Sequence, residues 1–187
     1  MASDYVERVR QEREQKEQYF GTNPRSPIPD EEREDFPGLE YFPIDEDMRY
    51  ELPLHEHDDK EELIVETTTG SQREYLRWGE FRFEVDGESV TLQAFKADPH
   101  EDYLWVPFRD DTNGEETYGA GRYLDLHYGE DQVSGDTWVL DFNMAYNPTC
   151  AYNEAYECPL IPTENWLDVR IEAGEKAYPG ETMGYEH

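Results

Sequence analysis

Between positions 104 and 176 the chain places arginines, carboxylates, tyrosines and amides at turn-rich spacing. Arg109, Asp111 and Thr112 precede an Asn113-Gly114 turn, Glu116 and Tyr118 follow it, and Arg122 comes four residues later. A guanidinium offers a planar fork to a carboxylate or phosphate, and a nearby carboxylate can orient it or move protons. Arg122 shares strand parity with Tyr118, Ala120, Leu124 and Leu126, so it points to the apolar side. An unpaired charge there costs several kcal/mol, and Glu116 and Asp111 are the acids at hand. Two readings stand: an ion pair that holds the fold, or an anion clamp. Asp111 and Thr112 likewise either cap their turn or close over a ligand. Gly119 and Gly121 alternate on the other face, where a missing side chain admits a close neighbour. Asp141 and Asn143 share a face, and Asn147 follows them. The expected pocket is therefore lined by Arg109, Asp111, Glu116, Tyr118 and Arg122 and backed by Asp141, Asn143 and Asn147. A small anionic molecule is the ligand it fits. An enzyme using the same pocket, or an interaction protein whose motif residues form fold-holding salt bridges, are the alternatives.

Cys150 and Cys158 are the two cysteines, with a short loop between them bounded by prolines, and are expected to lie close in space. They read as two metal ligands with His127 as the nearest third, as a disulfide or redox pair, or as buried thiols. A structural zinc site shows four clear ligands, so no cofactor is expected and zinc is the alternative. His55 and His57 share a strand face beside Glu56, Asp58 and Asp59, which suits a solvated edge. No Ser-His-Asp arrangement, phosphate loop or dinucleotide fingerprint is readable, which leaves catalysis open.

These residues must be positioned by strands. Residues 4–20 read as a helix, with Asp4 and Glu7 as a capping pair and Glu12–Lys16 as an i,i+4 pair. A proline-rich strap, 22–42, follows. Residues 48–57 and 61–69 read as strands. The strongest local pattern is a hairpin over 75–96: Asp86-Gly87 is a primed two-residue turn that sets Phe83 opposite Val90 and Phe81 opposite Leu92. Apolar parity slips at Gly79-Glu80, which marks a bulge. Further strands are expected at 103–108, 117–128 and 137–144, the last two paired as a hairpin, and at 166–171. The fold class is mainly β: an antiparallel meander of seven or eight strands forming a barrel or sandwich, with the N-terminal helix packed outside. The chain reads as a single domain, 1–187, with a β body at 48–176 and a tail at 177–187.

Charge constrains the partners. The net charge is -30, from 46 acidic and 16 basic residues, only four of them Lys. Acids lie among Trp, Tyr and Phe, so the chain folds rather than forming an acidic tail. The acids are spread through every loop and the helix, which fits a hydrated surface in a saline cytoplasm better than a nucleic-acid mimic or a partner for a basic protein. No basic stripe exists to neutralise phosphates, so no nucleic-acid partner is expected. No apolar run spans a bilayer, and the first residues lack a signal peptide's apolar core, so a cytoplasmic protein is expected. Thirty excess negative charges repel one another in dilute buffer and are screened within about 3 Å at 1 M salt. The melting temperature is therefore expected to climb from low to molar KCl; a flat or falling series would remove this account.

The motifs carry a resemblance. The run from Phe108 to Leu124, the run Asp141-Phe142-Asn143-x-Ala145-Tyr146-Asn147-Pro148-x-Cys150-Ala151-Tyr152, the run Cys158-Pro159-Leu160-x-Pro162-x-Glu164-Asn165, and Ala173-Gly174-Glu175-Lys176 are similar to the domain-of-unknown-function family numbered 1684. The resemblance covers nearly the whole chain. It implies a fold shared by archaeal and bacterial proteins and supplies no activity.

Overall fold

The computed structural model describes residues 4–153 and 156–179. Its first element, α1 (Asp4–Thr22), buries Val9 and Phe20 and half-buries Tyr5, Val6, Arg13 and Lys16 along the same side. The strap after it includes a single helical turn, α2 (Asp30–Arg33). As expected, it lies on the body: Ile28 and Leu39 pack with Phe20 and Tyr152.

Nine strands follow among the described residues. β1 (Arg49–Pro53), β2 (His55–Glu56) and β3 (Glu62–Glu66) lead into the long β4 (Gln72–Val85) and its hairpin partner β5 (Glu88–Lys96). Asp86 and Gly87 both adopt positive φ, at 50° and 84°, as a primed turn requires. The register sets Phe83 against Val90 and Phe81 against Leu92. The register shifts between Arg77 and Gly79. Odd residues after that bulge face the main core, whereas Tyr75 before it faces the opposite side.

β6 (Tyr103–Phe108) and β7 (Arg122–His127) pair over six residues, from Tyr103–His127 to Phe108–Arg122. β8 (Gln132–Ser134) and β9 (Thr137–Asp141) complete the set. One sheet runs β2-β4-β5-β6-β7, with β3 also on β4, and the other runs β1-β9-β8. Their inner faces share one core. Phe81, Leu92, Val106, Phe108 and Leu124 come from the larger sheet, and Trp138, Leu140 and Phe142 from the β9 side. The architecture is thus sandwich-like; a closed barrel is not formed.

Two expectations are corrected. The strands expected at 117–128 and 137–144 do not pair with each other: β7 pairs with β6, and β9 pairs with β1 and β8. The first of them is also shorter than expected. Gly121 has φ 100°, and a Cβ there would sit 2.6 Å from the Phe108 carbonyl oxygen, so the chain turns tightly at 121 before β7 begins. The segment 166–171 is not a ladder strand. Its alternation reports a real face, since Leu167, Val169 and Ile171 do meet the core. However, its backbone is held mainly by single bonds to loops and by side chains. The part of the expected tail beyond residue 179 lies outside the described residues.

Candidate functional site

The C-terminal segment needs fixing because it has no sheet, and side chains do this. Arg122 leaves β7 on the core side, level with Phe108, and is 0% exposed. Its guanidinium donates to the carbonyls of Ile171 (2.8 Å), Ala173 and Glu175 (3.3 Å) and to Asp110 Oδ1 (3.4 Å). Burial pulls its pKa down and the Asp110 carboxylate opposes that shift. Asp110 in turn accepts from Thr112 Oγ1, Asn113 Nδ2 and the Ile171 amide (2.6 Å). The Arg122 partner is thus Asp110, a residue outside the expected pocket. Glu116 pairs with Arg170 on the surface instead, and the exposed Asp111 gives its amide to the Val169 carbonyl.

Asn147 adjoins this knot through Glu175, and the other expected residues lie apart from it. Asn147 donates to the Lys176 carbonyl, and its amide N–H meets Glu175 Oε1 at 3.1 Å. Glu175, fully buried, also accepts from Lys16 of α1 (2.8 Å) and from the Tyr152 hydroxyl. Asp141 and Asn143 instead tie α1 and the strap to the end of β9. Asp141 accepts from Tyr5 at 2.7 Å, and Asn143 bonds the backbone of Asp45 through both amide atoms. Tyr118 is buried with its hydroxyl 3.4 Å from Cys150 Sγ. Arg109 lies over the ring of Trp166 at 4.4 Å and forms no ion pair among the described residues. The eight residues therefore serve several separate contacts, and of the two clefts described here only the smaller, of about 310 Å³, includes one of them, Asp141.

Sequence reasoning missed Lys16, Tyr152, Glu175 and Asn165. Lys16 is one of four lysines in the chain, and its scarcity was the available signal. Asn165 is 0% exposed and substitutes for a missing ladder. β5 and β6 pair at one position, Phe95–Trp105. Beside it the Asn165 side chain accepts from the Gln93 amide (2.9 Å) and donates to the carbonyls of Gln93 (2.9 Å) and Pro107 (2.7 Å).

Cys150 and Cys158 are adjacent, as expected: the Cys150 amide donates to Cys158 Sγ at 3.4 Å. His127 packs tilted against Tyr103, and no group of three His, Cys, Asp or Glu that could hold a metal occurs among the described residues.

The larger cleft, of about 480 Å³, lies between β3 and residues 160–164. The Arg77 amide bonds the Glu61 carbonyl and the Thr67 amide bonds the Ser71 carbonyl, so odd residues of β3 bond β4. The backbones of Glu62, Ile64 and Glu66 therefore point outward. The Glu66 carbonyl is taken by the Leu160 amide, and Thr68 similarly bonds Cys158. Beyond that point the two segments diverge, leaving Glu62 and Ile64 on a free edge beside Ile161 and Pro162. The Ile64 side chain is 59% exposed.

Fold and contacts define a two-sheet, mainly β domain whose C-terminal segment is fastened by buried side chains rather than by a ladder. The chain belongs to the DUF1684 family of proteins of unknown function, whose profile matches residues 34–176. It is similar to an uncharacterised protein of Haloarcula marismortui solved by solution NMR. The two are 41% identical with a TM-score of 0.70, covering 92% of this chain and 94% of the other. No curated protein matches. No helix among the described residues is long and apolar enough to cross a membrane.

Proposed function

We propose that this is a binding protein of a saline cytoplasm that takes an extended, basic polypeptide segment along the free edge of β3. The observation that carries the reading is the outward backbone of Glu62 and Ile64 beside the 480 Å³ cleft. A strand added there gains main-chain hydrogen bonds, and alternate side chains enter the cleft against Leu63 and Ile161. The rim carries Glu61, Glu62, Glu66 and Glu164. Its one arginine, Arg77, is engaged by Glu164 at 3.0 Å and by Glu61 at 3.9 Å. Charge complementarity therefore selects Lys- or Arg-bearing segments and disfavours an anion in this cleft. Acidic residues flanking an edge also deter pairing between two copies of the same acidic chain. Among the eight residues expected to bind an anion, Arg122 has its donors committed to the fold. That reading rests on Arg109, stacked on the half-exposed Trp166.

The test is fluorescence anisotropy with a labelled peptide of alternating Lys and Val, against wild type and Ile64→Pro. Proline at 64 removes an outward N–H and no β3–β4 bond, so the fold is kept. Binding is expected to weaken about tenfold or more in Ile64→Pro, roughly the loss of one well-made hydrogen bond. Equal binding by both proteins, or none by wild type, would remove the proposal.

A further inference from the structure

We propose that Cys158 and Cys150 form a dithiol reactive toward hydrogen peroxide, with Cys158 as the attacking sulfur and Cys150 as the resolving one. The inference is independent of the β3 cleft. Two donors converge on one sulfur. The short turn Thr149–Ala151 presents the Cys150 amide to Cys158 Sγ at 3.4 Å, and the Thr149 hydroxyl lies 3.5 Å from it. Cys150 itself has the Tyr118 hydroxyl at 3.4 Å, and no donor set comparable to that of Cys158. This asymmetry assigns the roles, because a thiolate is stabilised where several hydrogen bonds meet.

Ionisation follows the geometry. The bond from Cys150, with smaller contributions from Thr149 and the Cys150 amide, holds the Cys158 thiol down at about 6 against the cost of burial. The same bond, with burial, pushes Cys150 up. At neutral pH the pair is one thiolate and one thiol. Both are nearly closed to solvent, at 4% and 5% exposure, while Thr149 and Glu157 beside them are exposed. A small, neutral oxidant reaches sulfurs so nearly buried more readily than a bulky disulfide.

The chemistry balances. The Cys158 thiolate attacks one peroxide oxygen, the O–O bond breaks, and hydroxide leaves and takes a proton to become water. Cys158 is now a sulfenic acid. Cys150, losing its proton, attacks the Cys158 sulfur, the S–O bond breaks, and a second water leaves. Two thiols are oxidised to one disulfide and one hydrogen peroxide is reduced to two waters.

The purified, reduced protein is treated with excess hydrogen peroxide and its thiols are counted after denaturation. Two are expected to fall to none, with a peptide linking residues 150 and 158. Cys150→Ser should trap a sulfenic acid that dimedone labels, and Cys158→Ser should label about tenfold more slowly or less. The wild-type rate should rise between about pH 5 and 7 and then level off. Two surviving thiols, or equal labelling of the two serine variants, would overturn the assignment. Should either variant fail to fold, the wild-type pH profile decides, and a rise centred near an ordinary thiol pKa of about 8.5 would overturn it.

Discussion

Arg122→Met is expected to lower stability by roughly 3–5 kcal/mol, the range for removing one partner of a buried ion pair. The loss has two sources. The Asp110 carboxylate keeps its Thr112, Asn113 and Ile171 donors but loses its only cation among the described residues. The carbonyls of Ile171, Ala173 and Glu175 lose their shared donor in a buried setting, where an unmade bond costs about 1–3 kcal/mol before relaxation. At roughly 2–4 °C per kcal/mol for a chain of this size, the melting temperature should fall by about 6–20 °C. Arg122→Lys should recover part of this, because an ammonium matches the charge but cannot reach three carbonyls and a carboxylate as a planar fork does. The comparison is made in molar KCl, where surface repulsion is screened. A loss below about 1 kcal/mol for Arg122→Met would show that the knot does not hold the C-terminal segment.

The same residue shows how far the sequence could be read. Parity alone placed Arg122 on the core side and required a partner, and both hold. Its partner was not legible, because Asp110 stands between Arg109 and Asp111 with nothing local to single it out, and the carbonyls belong to a segment 50 or so positions later. Local signals did well where one turn decides the outcome. Asp86-Gly87 fixed the register of β4 and β5, and the parity slip at 79–80 located the bulge. They failed where alternation was taken for pairing. In 166–171 the period of two is real, but it records which side chains face the core and says nothing about what the backbone bonds. The expected hairpin of 117–128 with 137–144 failed for a related reason: adjacency in sequence suggested pairing, whereas β6 claims one edge of β7 and the Tyr146 bridge takes a position on it as well. Most of the eight candidate site residues act as fasteners between elements. A carboxylate or amide looks the same in sequence whether it binds a ligand or a backbone.

Asn165 is the sharpest case of such a fastener, and Asn165→Leu is expected to cost roughly 3–5 kcal/mol through several unmade buried bonds. Pro107 has no N–H, and β5 and β6 share a single paired position, so the sheet has a gap that the Asn165 amide fills. Leucine has a similar volume but leaves the Gln93 amide and the Gln93 and Pro107 carbonyls without partners. Hydrogen exchange at the Gln93 amide should accelerate well beyond the change in global stability, which a packing defect alone would not produce. Asn165→Asp separates shape from hydrogen bonding. It keeps the acceptor for the Gln93 amide but points a charge at two carbonyl oxygens, so at pH 7 it should be worse than leucine. That buried carboxylate would have a folded pKa raised above its unfolded value, since burial and carbonyl dipoles both disfavour the anion. Its contribution is therefore favourable when protonated and lost as pH rises through the folded pKa. The Asn165→Asp protein should recover stability relative to wild type as pH falls from 7 toward 5. Urea midpoints at the two pH values measure this directly; an aspartate variant as stable as wild type at pH 7 would mean that the amide donor is not bridging the two strands.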